Sequence, residues 1–148
     1  AFYLHDCVIP RSQLTHLLST IQDTAKKYDV TIGNVFHAGD GNLHPNILFD
    51  PEDEEMMTRV LAAGEVILDE CLKVGGTLSG EHGIGVEKSE FMDRLFSERD
   101  LNRMKTIKSL FDHHHLANPS KIFPTGGGCG EAKKAINHPL LTTGGAWI

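Results

Sequence analysis

The sequence predicts an α+β domain, an antiparallel sheet flanked by helices. Three observations carry that expectation. Two runs rich in β-formers, residues 31–38 and 43–49, meet at Asp40-Gly41, a pair suited to a tight hairpin turn. Apolar residues recur at helical spacing from Leu14 to Tyr28 and again from Met56 to Cys71. A short apolar run with Phe2, Leu4, Val8 and Ile9 precedes them and stops at Pro10, as a strand would.

In chain order, residues 2–9 form a strand. Ser12 is a suitable N-cap for a helix that runs to Tyr28, with Leu14, Leu17, Leu18, Ile21, Ala25 and Tyr28 on the face toward the sheet. Arg11 at the strand-to-helix corner is an ordinary surface cation. The hairpin follows. Asp50-Pro51-Glu52-Asp53 opens a second helix with a cap, Pro at N1 and acids in the first turn. Met56, Val60, Ala63, Ile67, Leu68 and Cys71 form its inner face, and Gly75 is its C′ residue. A short helix is expected over 86–95. Another follows Ser97, with Leu101, Met104, Ile107, Lys108 and Phe111 along its face, and it ends before His113-His114-His115. Residues 118–124 make a turn held by Pro119 and Pro124. The domain spans 1–130. Residues 131–148 form a poorly ordered tail, with Trp147 free to dock elsewhere.

The totals limit the function. The 148 residues suffice for one domain with a real core, and 40% hydrophobic against 23% charged residues describe a globular chain. A net charge of −6 without a basic run argues against nucleic acid as a partner. No apolar run has the length of a membrane span, and no signal peptide is visible. The expected location is cytoplasmic, with any membrane association peripheral and through partner subunits. Cys7, Cys71 and Cys129 are odd in number and widely spaced, which suits free thiols in a reducing compartment. The chain opens on Ala1 inside a structured run, so a portion of a longer protein is expected.

The hairpin carries the chemistry. With Asp40 and Gly41 as a two-residue type I′ turn, Ala38 faces Leu43 and His37 faces His44 on one side of the sheet. Asn46, two residues on, points the same way. Alone, the two histidines also suit a solvated pair. A third group is available in the glycine-rich stretch 76–85, where Glu81-His82 sits among Gly76, Gly80, Gly83 and Gly85. Neighbours on such a backbone point in different directions, so Glu81 is free to join a metal while His82 faces a substrate. His37, His44 and Glu81 then form a two-His-one-carboxylate set suited to Zn²⁺, Mn²⁺ or Fe²⁺. Such an ion grips the carboxylate and hydroxyl of a 2-hydroxy acid and acidifies the hydroxyl. His82 is the natural base and Asn46 a substrate hydrogen-bonder. Asp40 is read as a turn residue. The chain shows no hydride acceptor of its own.

At these residues the sequence resembles a known family. The stretches 37–44 (HAGDGNLH), 79–85 (SGEHGIG) and 118–124 (NPSKIFP) are similar to the C-terminal domain of FAD-linked oxidases of the vanillyl-alcohol-oxidase type. Within that family the likeness is closest to the FAD-containing glycolate oxidase subunit and to D-lactate dehydrogenases. The resemblance implies an N-terminal FAD-binding domain as partner, with FAD held mainly there. It implies Asn118 as a flavin-approaching residue and a substrate that is glycolate or a D-2-hydroxy acid. The same three ligands, His82 and Asn46 follow from motif matching. His113 departs from the family's more usual Pro, and the tail departs as well. On this reading the chain alone is inactive, and other oxidase subunits are further partners. Two alternatives stay open: a free-standing metal-dependent hydrolase with the same ligands, and a non-catalytic docking module.

Overall fold

A computed structural model describes residues 1–124. The expected tail at 131–148, with Trp147, and Cys129 lie outside the described residues. The described chain divides into two compact units, Ala1–Gly83 and the stretch from Ile84 onward.

The first unit is an antiparallel sheet with two helices. Its strands are β1 (Phe2–Leu4), β2 (Cys7–Val8), β3 (Thr31–His37) and β4 (Asn42–Leu48). β4 is central: β1 and β2 pair with one edge of it and β3 with the other. Its position explains its burial, for Asn42, Leu43, His44, Pro45 and Ile47 are all buried while β3 is largely exposed. The strand expected over 2–9 is therefore two short strands. Leu4 faces Asn46 and Cys7 faces Leu43, so both keep one register. The break at His5-Asp6 has a simple cause. His5 N–H donates to the Pro45 carbonyl at 3.1 Å, and proline has no N–H to return.

α1 (Leu14–Tyr28) and α2 (Glu54–Lys73) pack on one face of this sheet. Leu17 and Ile21 from α1 meet Val60, Ala63, Ile67, Leu68 and Cys71 from α2 in a core completed by Cys7, Leu43 and Ile47. Cys7 and Cys71 are buried thiols that form no disulfide; a hydrogen bond with Cys71 and burial push the Cys7 thiol well up. Two ties cross between the helices. His16 Nε2 lies 2.6 Å from Glu70 Oε1, and Arg59 donates to the carbonyls of Tyr28 (3.1 Å) and Asp29 (2.7 Å) at the end of α1. That end is a left-handed Asp29, φ 51°.

Two helix starts differ from expectation. Ser12 lies inside a 3-10 turn, Arg11–Gln13, and does not cap α1, whose N-cap Gln13 makes no side-chain bond. Pro51 is not N1 of α2. Asp50 first makes a turn, its Oδ1 accepting from Glu52 N–H at 3.0 Å, and Asp53 caps the helix by accepting from Met56 N–H at 2.8 Å. The end of α2 is as expected. Gly75 has φ 85°, its N–H donates to Leu72 carbonyl at 3.0 Å, and Gly76 N–H donates to Cys71 carbonyl at 2.9 Å, a Schellman closure.

The second unit holds a 3-10 turn, Ser89–Phe91, then α3 (Met92–Leu95) and α4 (Glu98–Phe111). Only the end of the helix expected over 86–95 is α-helical. Ser89 bonds back to the Val86 carbonyl with both Oγ (2.6 Å) and N–H (3.3 Å), a local alternative to the helix ladder. Ser97 caps α4 by accepting from Asp100 N–H. Of the expected α4 face, Leu101 is buried, whereas Ile107 and Phe111 are exposed, with Leu110 beside them. The three histidines lie past the helix end, in a turn that folds around Asp112.

Candidate metal centre

The hairpin presents its histidines in a register two residues away from the expected one. His37 faces Asn42, Val35 faces His44 and Gly33 faces Asn46. The connection is the four residues Ala38–Gly41, not a type I′ pair: among Asp40 and Gly41 only Gly41 has positive φ, 74°. Asp40 and Gly41 N–H both donate to the His37 carbonyl, at 3.0 and 3.1 Å. The other neighbour of β4 sets this outcome. Ile9 N–H donates to the Gly41 carbonyl at 3.0 Å and Val8 faces Asn42, which draws Asn42 into the sheet. A Cβ on Gly41 would strike the Ile9 carbonyl oxygen, so the residue must be glycine on two counts. Because side chains alternate with period two, a shift of two residues leaves every side chain on its original face. His37, His44 and Asn46 still share one side, with the imidazoles meeting diagonally.

That side is opposite the helices. Across β4 from it, Asp6 falls level with His44, since Leu4 and Cys7 bracket it in one register. Asp6 is buried, and its Oδ2 gathers the glycine-rich loop. Ser79 Oγ–H donates to it at 2.6 Å, and the N–H groups of Gly80, Glu81 and His82 donate at 2.9, 3.0 and 2.9 Å. Ser79 Oγ in turn accepts from Gly83 N–H at 2.8 Å. Successive N–H groups converging on one oxygen form an anion-binding nest, here filled by a carboxylate of the same chain.

The curl of this loop brings Glu81 to the histidines. Glu81 Oε1 lies 3.0 Å from His44 Nε2, 3.8 Å from His37 Nε2 and 3.7 Å from His82 Nε2. One ligand atom from each of His37, His44 and Glu81 lies within 4.8 Å of the others. The His37 and His44 rings meet edge to face, with centroids 5.5 Å apart. The His82 ring stacks on His44 at 5.2 Å and 22°. The expected divergence of Glu81 and His82 is thus absent; both turn toward one cluster, on the stretch whose N–H groups donate to Asp6. His44 is the buried member, with 9% of its side chain exposed, against 56% for His37 and 50% for Glu81. The cluster is therefore anchored from below and open on its outer side.

Asn46 is half-buried on the same face, its Nδ2 donating to the His44 carbonyl at 2.9 Å. Asp40 is an exposed turn residue, and Arg11 is an exposed corner residue. Asn118 belongs to the second unit, where it has φ 46° and its carbonyl accepts from Lys121 N–H at 3.3 Å. Sequence reasoning passed over Asp6 and Ser79. A signal was present: His5-Asp6 is a polar pair inside an otherwise apolar strand run, and an acid there needs partners when buried.

Residues 1–122 match the family described as FAD linked oxidases, C-terminal domain. The chain belongs to this family. It is 42% identical to the glycolate oxidase subunit GlcD of Escherichia coli (strain K12) over 130 residues, 88% of this chain and 26% of that protein. The corresponding subunit of Bacillus subtilis (strain 168) is 38% identical over 81% of this chain and 26% of its own length. The mitochondrial D-lactate dehydrogenase [cytochrome] of Arabidopsis thaliana is 32% identical over 80% of this chain and 21% of its own length. The chain thus spans about a quarter of the length of the glycolate oxidase subunits it matches.

Proposed function

We propose that this chain is the substrate-handling C-terminal portion of a flavin-dependent oxidoreductase that oxidises glycolate or a D-2-hydroxy acid to the 2-oxo acid. Membership of the FAD-linked oxidases supports the reaction class, and the names of its relatives support the substrate class. The observation that carries the site is the convergence of two imidazole nitrogens and one carboxylate oxygen from His37, His44 and Glu81.

The donor set fits a divalent ion. Ligand atoms sharing an ion at about 2.1 Å lie roughly 3–3.5 Å from one another, close to the His44–Glu81 separation of 3.0 Å and a small side-chain movement from the 3.8 Å of His37–Glu81. Two neutral imidazoles and one carboxylate suit Zn²⁺, Mn²⁺ or Fe²⁺. His37, His44 and Glu81 would hold the ion, which supplies positive charge to bind a carboxylate and acidify a hydroxyl. His82 is the base, taking the substrate hydroxyl proton at its imidazole beside the cluster. Stacking on His44 limits the ring's orientation. Asn46 offers a substrate hydrogen bond from the same face. Asn118 approaches the flavin. FAD, held mainly by the N-terminal domain of the parent chain, supplies the hydride acceptor.

The test is metal analysis of the untagged chain beside a His37→Ala/His44→Ala double variant. About one equivalent of Zn²⁺, Mn²⁺ or Fe²⁺ is expected in the first and none in the second, given a three-ligand site. Metal retained by the double variant would overturn the ligand assignment. A metal-dependent hydrolase would use the same ligands. Ester hydrolysis by the chain alone, abolished by a chelator, would replace the oxidase reading.

A further inference from the structure

We infer that Asp6 is a positioning residue for the cluster: its buried carboxylate bends the Ser79–Gly83 loop so that Glu81 and His82 both reach the hairpin histidines. The inference rests on the reading of His37, His44 and Glu81 as a metal site, and gives that site its support.

Four donors meet one oxygen of Asp6, three of them consecutive backbone N–H groups. An extended backbone sends neighbouring side chains to opposite sides. Converging N–H groups require the curled form instead, and in that form Glu81 Oε1 comes within 3.7 Å of His82 Nε2 and 3.0 Å of His44 Nε2. Ser79 extends the hold by one residue, donating to Asp6 and accepting from Gly83 N–H. The loop also lies too close to the sheet for any side chain at Gly80. A Cβ there would strike Val8 Cγ2 and come within 3.0 Å of Asn42. Asp6 lies between β1 and β2, level with His44 of β4, so the anchor stands beside the buried ligand. Outer groups that orient ligands are worth about 10–100-fold in metal affinity.

The experiment compares the wild-type chain with Asp6→Ala, Asp6→Asn and Ser79→Ala. Amide exchange at Gly80, Glu81 and His82, ring contacts between His44 and His82 by NMR, and Zn²⁺ affinity by dye competition are measured on each. Circular dichroism and exchange at the β4 and α2 amides report the fold. In Asp6→Ala the loop amides are expected to lose protection and the His44–His82 contacts to vanish while β4 and α2 stay protected. Zn²⁺ affinity is then expected to fall about tenfold or more. Asp6→Asn keeps one acceptor oxygen and restores part of the affinity. If Asp6→Ala does not fold, Ser79→Ala decides. It removes one donor, and faster exchange at Gly83 with weaker Zn²⁺ binding is expected. Loop exchange and ring contacts equal to wild type in a folded variant would overturn the inference, as would unchanged Zn²⁺ affinity. If the wild type takes up none of Zn²⁺, Mn²⁺ or Fe²⁺, the metal reading fails by itself, and the loop exchange and ring contacts alone decide the role of Asp6.

Discussion

Gly64 lets α2 lie close against the side chains of Tyr3 and His5. A Cβ there would lie 2.5 Å from His5 Nε2 and 2.8 Å from Tyr3 Cε1. Two effects compete in Gly64→Ala. Alanine favours the helix by about 0.5–1 kcal/mol. Forcing a methyl into a filled core costs about 1–3 kcal/mol. The clash wins, so the denaturation midpoint in urea should fall, and Gly64→Val should lower it further. Asp112 offers a second residue-scale outcome. Its carboxylate accepts from Lys108 Nζ at 2.6 Å and from Leu116 and Ala117 N–H at 2.8 and 3.2 Å. The lysine above all holds its pKa down, from 3.8 to about 2. A carboxyl depressed on folding adds stability that is present above its unfolded pKa and lost as pH falls through the folded value. The turn after α4 should therefore hold at neutral pH and loosen between about pH 4 and pH 2. NMR titration of the Asp112 carboxyl should show this, and Lys108→Ala should move its titration upward. The metal-ligand candidates were legible at this scale because His and Glu announce their chemistry. Asp6 was not, since its role lies in the loop it gathers from 73 residues away.

Among the elements, α2 rests most on one cap. Asp53 accepts from Met56 N–H, with Glu54 and Glu55 in the first turn to meet the helix dipole. Asp53→Ala should cost about 1 kcal/mol, read as a shift in the urea midpoint. Asp50→Ala should cost less, because Asp50 bonds in the preceding turn and not in the helix. The apolar periodicity of α1 and α2 found the buried side chains, including Leu17, Ile21, Val60, Ala63, Ile67 and Leu68. Caps and turns were harder to read. Two aspartates three apart both suit a cap, and only the fold chooses between them. The hairpin shows the same limit. Asp40-Gly41 marked the place of the turn, but β2, far earlier in the chain at Cys7–Val8, set its length by pairing with Asn42. The two-residue difference in register ends the expected direct opposition of His37 and His44 but keeps them on one face, because the faces repeat every second residue.

At the scale of the molecule, the family follows from three separated motifs, and the match over residues 1–122 bears that out. The fold class was equally legible, an antiparallel sheet flanked by helices. Sequence periodicity could not say which helical faces stay open. Ile107, Leu110 and Phe111 on α4 are exposed, as are Val35 and Phe36 on β3. Among the described residues no helix is long and apolar enough to cross a membrane. Since the chain spans about a quarter of its relatives, the proposed flavin partner lies in sequence it does not contain. The purified chain should then show no flavin absorbance and no oxidation of glycolate or D-lactate. A yellow chain that turns over either acid would overturn the division of labour proposed for it.

The long span between Asp6 and its loop also orders events in time. Closing a contact between residues 73 to 76 apart costs more chain entropy than closing a nearby one. The hairpin can bring His37 and His44 together from a stretch of only a few residues, well before α2 exists. If Asp6 positions the loop as proposed, Glu81 joins them only when the first and last segments of the unit have docked beside β4. During synthesis, a growing chain therefore displays two histidines long before it has a carboxylate to complete the set. Capture of an ion by all three groups would mark the end of folding of this unit and not its beginning.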